Sequence, residues 1–229
     1  MRELSERDKA RLVDGIPEAA LVFFAPGLQG HGATVRDRSK NANHGTISGP
    51  LWKRLPSGRW VHNYYVTGCW ILVPHSSSFN VSALSIEVWI KPSGYGWEGS
   101  NSARIAAESS NAFILLYDSN GTLGLQLYAA GASSFSNPAC ITLNVWQKIE
   151  VGYDPADGHC RFFNNTVSVG APAKTGAIAA SSGDIHLGNV GNGDRTFQGL
   201  MWATRITGRA LTDAERAQRF NRERLYFGV

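Results

Sequence analysis

Short runs of period-two alternation, broken at intervals by turn residues, constrain this chain more than any other feature. In "ALSIEVWIKP", Ile86, Val88 and Ile90 alternate with Glu87, Trp89 and Lys91, the spacing of a strand with two distinct faces. "WQKIEVGY" places Ile149, Val151 and Tyr153 on one side in the same way. "AFILLYDSNGTLGLQLYA" reads as two strands around Asp118-Ser119-Asn120-Gly121, where Asn-Gly supplies the φ > 0 positions of a tight hairpin. "DPADG" repeats the device, with Pro155 setting φ and Gly158 relieving it. Further strands are expected at "ALVFF", "GRWVHNYYV", "CWILVP", "RIAAE", "DIHLG" and "GLMWATRI". About a dozen short strands with no long helix between them specify an all-β, antiparallel sandwich rather than a parallel α/β sheet.

Helical signals occur only at the ends. Ser5 and Asp8 precede "ERDKARLV", which Gly15 and Pro17 terminate; its apolar stripe is too thin for a domain, so residues 1–17 read as an arm or docking helix. Near the other end Thr212 and Glu215 form a capping box ahead of a short amphipathic helix. Residues 18–229 are expected to form one domain. The 7 Trp, 7 Tyr and 10 Phe suffice for a substantial buried core, which argues against disorder.

Cys69, Cys140 and Cys160 cannot all pair with one another and show no metal-ligand spacing, so they read as reduced, buried small residues. The N-terminal "MRELSERDKARLVDG" lacks the apolar run of a signal peptide, and no stretch approaches the ~18 apolar residues of a membrane span. The expected location is therefore a virion, or the cytoplasm before release, or otherwise outside the cell by a route this chain does not encode.

Charge is unevenly placed. Residues 31–60 carry Arg36, Arg38, Lys40, Lys53, Arg54 and Arg59 against the single acid Asp37, so this stretch holds more than the whole net charge of +4. A solvated face is one reading. The other is an anion-attracting patch for an acidic polysaccharide or a phosphate-bearing surface. Neither a nucleic-acid partner nor a membrane-spanning segment is expected.

The landmarks "RDRSKNANHGT", "ILVP", "LSIEVWIKP", "WQKIEVGYD", "RFFNN", "IHLGN" and "FQGLMWATRITGRALTDAE" occur in the order seen in laminin G-like domains of the concanavalin A-like lectin/glucanase superfamily, in its bacterial and phage branch. The resemblance runs from about Ala20 to about Asn221. It implies a jelly-roll sandwich of two curved antiparallel sheets with adjacent first and last strands and a final short helix, to which the residues themselves add the N-terminal helical arm. The chain departs from the family pattern where Trp202-Ala203 replaces the usual Asp-Glu, and where "YYVTGCW" replaces an acidic segment. Both changes remove carboxylates, which puts in doubt the calcium site that some relatives hold between the early turn and the last strand.

Calcium is thus the one cofactor to weigh, with Asp37, Asn41 and Asn43 as the candidate ligands. The stretch is not an EF-hand, because Ser48 stands where the bidentate Glu is needed. The competing reading is a turn whose short polar side chains cap local N–H groups. For glycoside hydrolysis, the Glu-x-Asp-x-x-Glu pattern is absent and no acid follows Glu87 until Glu98, so the chain is read as a non-enzyme. The six histidines show no HxH or HExxH spacing, and His44 reads as a hydrogen-bonder at the turn.

Carbohydrate binding remains. Tyr95 and Trp97 in the Gly-rich "PSGYGWEGSN", with Arg36, Arg38 and Lys40, are the candidate ligand residues. The expected function is lectin-like recognition of a glycan or another surface. The alternative is a virion component, a capsid decoration or tail protein, whose arm makes capsid, tail or homo-oligomer contacts.

Overall fold

In the computed structural model, residues 20–95, 102–109, 112–127, 134–136, 139–189 and 195–229 are described. The arm expected at 1–17 lies outside them. In chain order the strands begin with β1 (Leu21–Ala25), β2 (Thr34–Val35), β3 (Gly45–Ser48), β4 (Leu51–Arg54), β5 (Trp60–Tyr64) and β6 (Trp70–Val73). Next come β7 (Leu84–Pro92), β8 (Ser102–Glu108), β9 (Ile114–Asp118), β10 (Leu123–Gln126) and β11 (Ser134–Phe135). β12 (Gln147–Asp154), β13 (His159–Asn164), β14 (Val167–Gly170), β15 (Ile185–Leu187) and β16 (Gly199–Thr207) complete the sandwich, followed by helix α1 (Asp213–Glu223).

Two antiparallel eight-stranded sheets result. The first runs β14-β13-β12-β7-β16-β5-β4 with β1 beside β16, and the second runs β11-β10-β9-β8-β15-β6-β3-β2. The first and last strands are adjacent, as the resemblance implied. One edge of β16 serves two partners, because a bulge between Trp202 and Arg205 divides it. β5 pairs with Gly199–Met201, and β1 pairs with the half from Thr204 to Thr207. Ala203 sits at the bulge with φ 54°. The hairpin at Asp118–Gly121 differs from expectation in one detail: only Gly121 takes a positive φ, and the Asp118 carboxylate instead caps Asn120 N and Thr122 N, each at 2.9 Å.

Between the sheets, Ile86, Val88 and Ile90 of β7 join Ile149 and Val151 of β12 and Phe23 of β1 in one cluster with Ile71, Leu115, Leu125 and Ile185 of the second sheet. Burying each such side chain contributes about 1.5–3 kcal/mol.

The second face of β7 is equally buried, covered by the C-terminal amphipathic helix, whose inward face carries charges as well as Phe220. α1 lies over Glu87 and Trp89, and its buried residues are Arg216, Arg219 and Glu223. Three buried glutamates meet four buried cations there. Glu87 pairs with Lys148 at 2.7 Å and with Arg219; Glu150 accepts from Arg216 Nη2 at 2.8 Å and Nε at 2.9 Å. Glu223 binds Arg205 and accepts from Trp89 Nε1 at 2.6 Å. Arg216 also reaches the exposed Asp213. Beside this network Trp89, Trp146 and Trp202 surround Phe227, with ring centroids 4.5, 4.4 and 5.4 Å away, and Phe220 stacks on Trp89 at 5.6 Å. Trp202, which occupies a position where the family carries an acid, is therefore core.

The capping box forms as read: Glu215 N donates to Thr212 Oγ1 at 3.3 Å, and Thr212 N donates to Glu215 Oε2 at 2.9 Å. All three cysteines are free, Cys69 and Cys160 buried and Cys140 partly so.

Removing one partner of a buried ion pair leaves the other charge uncompensated. Glu87→Gln is expected to destabilise the fold by about 3 kcal/mol in a urea melt, because Lys148 and Arg219 both lose their shared carboxylate. A loss under about 0.5 kcal/mol would contradict this account of the network.

Candidate functional site

The stretch from Arg36 to His44 folds so that alternate side chains take opposite directions. The oxygen-bearing side chains turn inward. Asp37 Oδ1 accepts from Phe24 N and Ser39 N, both at 2.8 Å. Its Oδ2 accepts from Ser39 Oγ at 2.6 Å and Asn43 N at 2.8 Å. Asn41 Nδ2 and Asn43 Nδ2 donate to Val22 O at 2.9 and 3.2 Å. The turn is thus riveted to β1, with Ala42 in the left-handed region at φ 52°. The basic side chains interleave on the other side: Arg36 and Lys40 are exposed and Arg38 is half-buried.

This geometry does not suit calcium. A hard cation needs several oxygens with free lone pairs, yet the one carboxylate here already receives four donors and both asparagine amides aim N–H groups at Val22 O. Among the described residues no group of three or more His, Cys, Asp or Glu is placed to hold a metal ion. Asp37, Asn41 and Asn43 act as turn anchors.

On the outward side an open cavity of about 500 Å³ lies against β2 and the residue preceding β3, lined by Gln29, His31, Thr34, Arg36 and His44 together with Gly32 and Ala33. Local sequence explains its shape. Gln29 brackets the loop, donating from Nε2 to Thr34 O and accepting from Arg36 N, both at 3.1 Å. Gly30, at φ +69°, rides directly on the Trp60 ring, where an added Cβ would come within 2.3 Å of Cε2. Trp52 Nε1 donates to Gly32 O at 2.8 Å while its ring packs on His62 at 4.3 Å. Asp37 N donates to His44 Nδ1 at 3.2 Å, which assigns the proton of the neutral imidazole to Nε2.

Of the residues singled out in the sequence, Arg36 lines the cavity, and Arg38 and Lys40 follow it on the basic side of the turn. Tyr95 does not stand free; it packs edge-on against Tyr117 at 6.1 Å, half-buried against the core. Trp97 lies outside the described residues. Gln29, His31 and Thr34 were missed, and the run "GLQGHGAT" carried their only signal, a glycine-spaced loop with polar side chains. His44 bonds the turn as expected and also faces the cavity.

The expectation that Glu87 has no acidic neighbour is corrected by strand pairing. Glu150 sits directly opposite it on β12, a separation in sequence that no linear pattern reveals. Both carboxylates are buried beneath α1 and paired with cations, so this pair has no access to a substrate.

A profile of the concanavalin A-like lectin/glucanases superfamily matches residues 65–215. The chain is a laminin G-like member of that superfamily. No curated protein sequence matches it. Among solved structures, domain 4 of an extracellular arabinanase from Geobacillus stearothermophilus, in complex with arabinotriose, is 16% identical with a TM-score of 0.67 over 87% of this chain and 97% of that one. The receptor-binding domain of a botulinum neurotoxin C/D mosaic is 12% identical (TM-score 0.69; 93% of this chain, 55% of that one). A Trypanosoma rangeli sialidase in complex with sialic acid is 13% identical (TM-score 0.67; 96% of this chain, 38% of that one). The laminin G-like chain thus spans about half of the toxin domain and less of the sialidase; at these identities the likeness is one of fold.

Two outcomes test the site's scaffold. Asp37→Ala strands three backbone donors and should lower stability by about 3 kcal/mol, whereas EDTA should leave the thermal midpoint of the native protein unchanged. A drop in midpoint with EDTA would restore the metal. Burial pushes the His62 pKa from 6.5 down to about 3, so below pH 6.5 the unfolded chain takes up a proton that the folded one refuses. Stability should therefore fall toward pH 3 by up to about 1.4 kcal/mol per pH unit, and His62→Phe, which keeps the ring under Trp52, should flatten that slope.

Proposed function

We propose that this laminin G-like domain is a non-enzymatic recognition module that binds a glycan. The observation that carries the reading is the open polar cavity beside β2 and β3, held by structural bonds on one side and lined by the exposed Arg36, which Arg38 and Lys40 follow along the turn. Its volume falls in the range of about 300–1,000 Å³ usual for ligand sites. Support also comes from the fold shared with an arabinanase domain crystallised with arabinotriose. Two further points favour binding without cleavage: Glu87 and Glu150 lie under α1, and among the described residues the cavity lining includes no carboxylate to act as acid or nucleophile.

A glycan array probed with the full chain should show retention of at least one saccharide class, and incubation with that saccharide should release no reducing ends. Release of reducing ends would overturn the non-enzymatic reading. Binding to no glycan, together with oligomers that vanish on deletion of residues 1–17, would favour the assembly role instead.

A further inference from the structure

Resting on the glycan-binding reading, we infer that the cavity selects an anionic sugar, with the carboxylate or sulfate of a uronic, sialic or sulfated unit held by Arg36 and His44. The charge balance of the site is the first reason. Asp37, the one acid of residues 31–60, is buried with its oxygens committed to four donors facing β1, so it does not offset the cations at the cavity mouth. Arg36 opens into the cavity, Arg38 and Lys40 follow on the same outward side of the turn, and Lys53 and Arg54 sit on the exposed strand β4, which continues from β3 through Gly49 and Pro50. β4 ends the first sheet and β2 the second, so these cations share one margin of the sandwich. A field of one sign along a cleft raises the local concentration of oppositely charged ligands.

Donor geometry is the second reason. Gln29 engages both ends of its amide on the loop itself, one N–H and the carbonyl, and so positions the wall. What remains for a ligand is donor-rich: the planar guanidinium fork of Arg36, matched to a carboxylate or sulfate edge, and His44 Nε2–H, whose orientation is fixed by the bond from Asp37 N to Nδ1. A carboxylate or sulfate would accept from both. A neutral sugar hydroxyl would use the same donors singly and gain nothing from the surrounding charge.

The openness of the cavity suits an oligosaccharide that continues past the site rather than an enclosed monosaccharide. Arg38 and Lys40 then meet the next anionic unit, which predicts affinity that rises with chain length and weakens with salt.

The test is calorimetric titration of the full chain with tetrasaccharides of hyaluronan, heparin and polygalacturonate, against neutral cellotetraose and arabinotetraose, inorganic sulfate, and phosphatidylserine vesicles. Binding of an anionic tetrasaccharide at least tenfold tighter than either neutral one is expected. Arg36→Ala should weaken it about tenfold and His44→Ala several-fold, while Arg161→Ala, on β13 at the far side of the first sheet, should change it less than twofold. Because Arg36 is exposed, its variant should melt with the native protein, which separates lost binding from lost folding. Binding of a neutral tetrasaccharide alone, or anionic binding indifferent to Arg36→Ala, would overturn the inference and leave the glycan reading standing. Inorganic sulfate competing as well as the saccharides, or retention on vesicles without saccharide binding, would overturn it in favour of a simple anion site or a lipid surface. No saccharide binding of either kind would overturn both readings.

Discussion

The pairing of α1 with the outer face of the first sheet through buried charge is the interaction on which the rest of the molecule leans. Glu87 on β7 and Glu150 on β12 face each other across the middle of that sheet, and without Lys148, Arg216 and Arg219 they would be two like charges in an apolar setting. α1 supplies two of those cations and returns a carboxylate, Glu223, to Arg205 on β16. The helix therefore fastens three strands at once: β7, β12 and β16. Its position in turn brings the C-terminal Tyr226 and Phe227 over Trp89, Trp146 and Trp202. Desolvating so many ions is expensive, and a fully apolar helix could bind as tightly. What the ions add is register, since Arg205, Arg216 and Arg219 each have one buried carboxylate to meet, Glu223, Glu150 and Glu87 in turn.

At the opposite margin a different device does comparable work. Alternation in "RDRSKNANH" sends Asp37, Ser39 and Asn43 inward to β1 and leaves Arg36 and Lys40 outside. The same segment is thereby a structural tie and a charged surface. Its anchoring is what holds His44 and the Gln29 loop in place around the cavity, so the site inherits its rigidity from the fold.

Much of the architecture was legible in the sequence. Period-two alternation located β7 and β12, the Asn-Gly turn located β9 and β10, and the Thr212–Glu215 box located the start of α1, because all three depend on contacts between residues near in sequence. Arg36, Arg38 and Lys40 could be named because charge density needs no fold to be counted. The cavity's remaining wall could not be named: Gln29, His31 and Thr34 become neighbours of His44 only when β2 pairs with β3 and Trp52 reaches across to Gly32. The packing of Tyr95 was hidden for a similar reason, as its partner Tyr117 lies on a different strand.

Sequence by itself determined an all-β sandwich, its turns, its terminal helix and the basic character of residues 31–60, since these follow from local backbone preference and composition. Tertiary structure alone decided that the charged face of α1 is the buried one, that Glu87 has Glu150 for a neighbour, and that Asp37 points away from the cations beside it. Each of these is a matter of which groups meet across distant strands, and burial changes the energy of a charge only once its partners and its solvent are known.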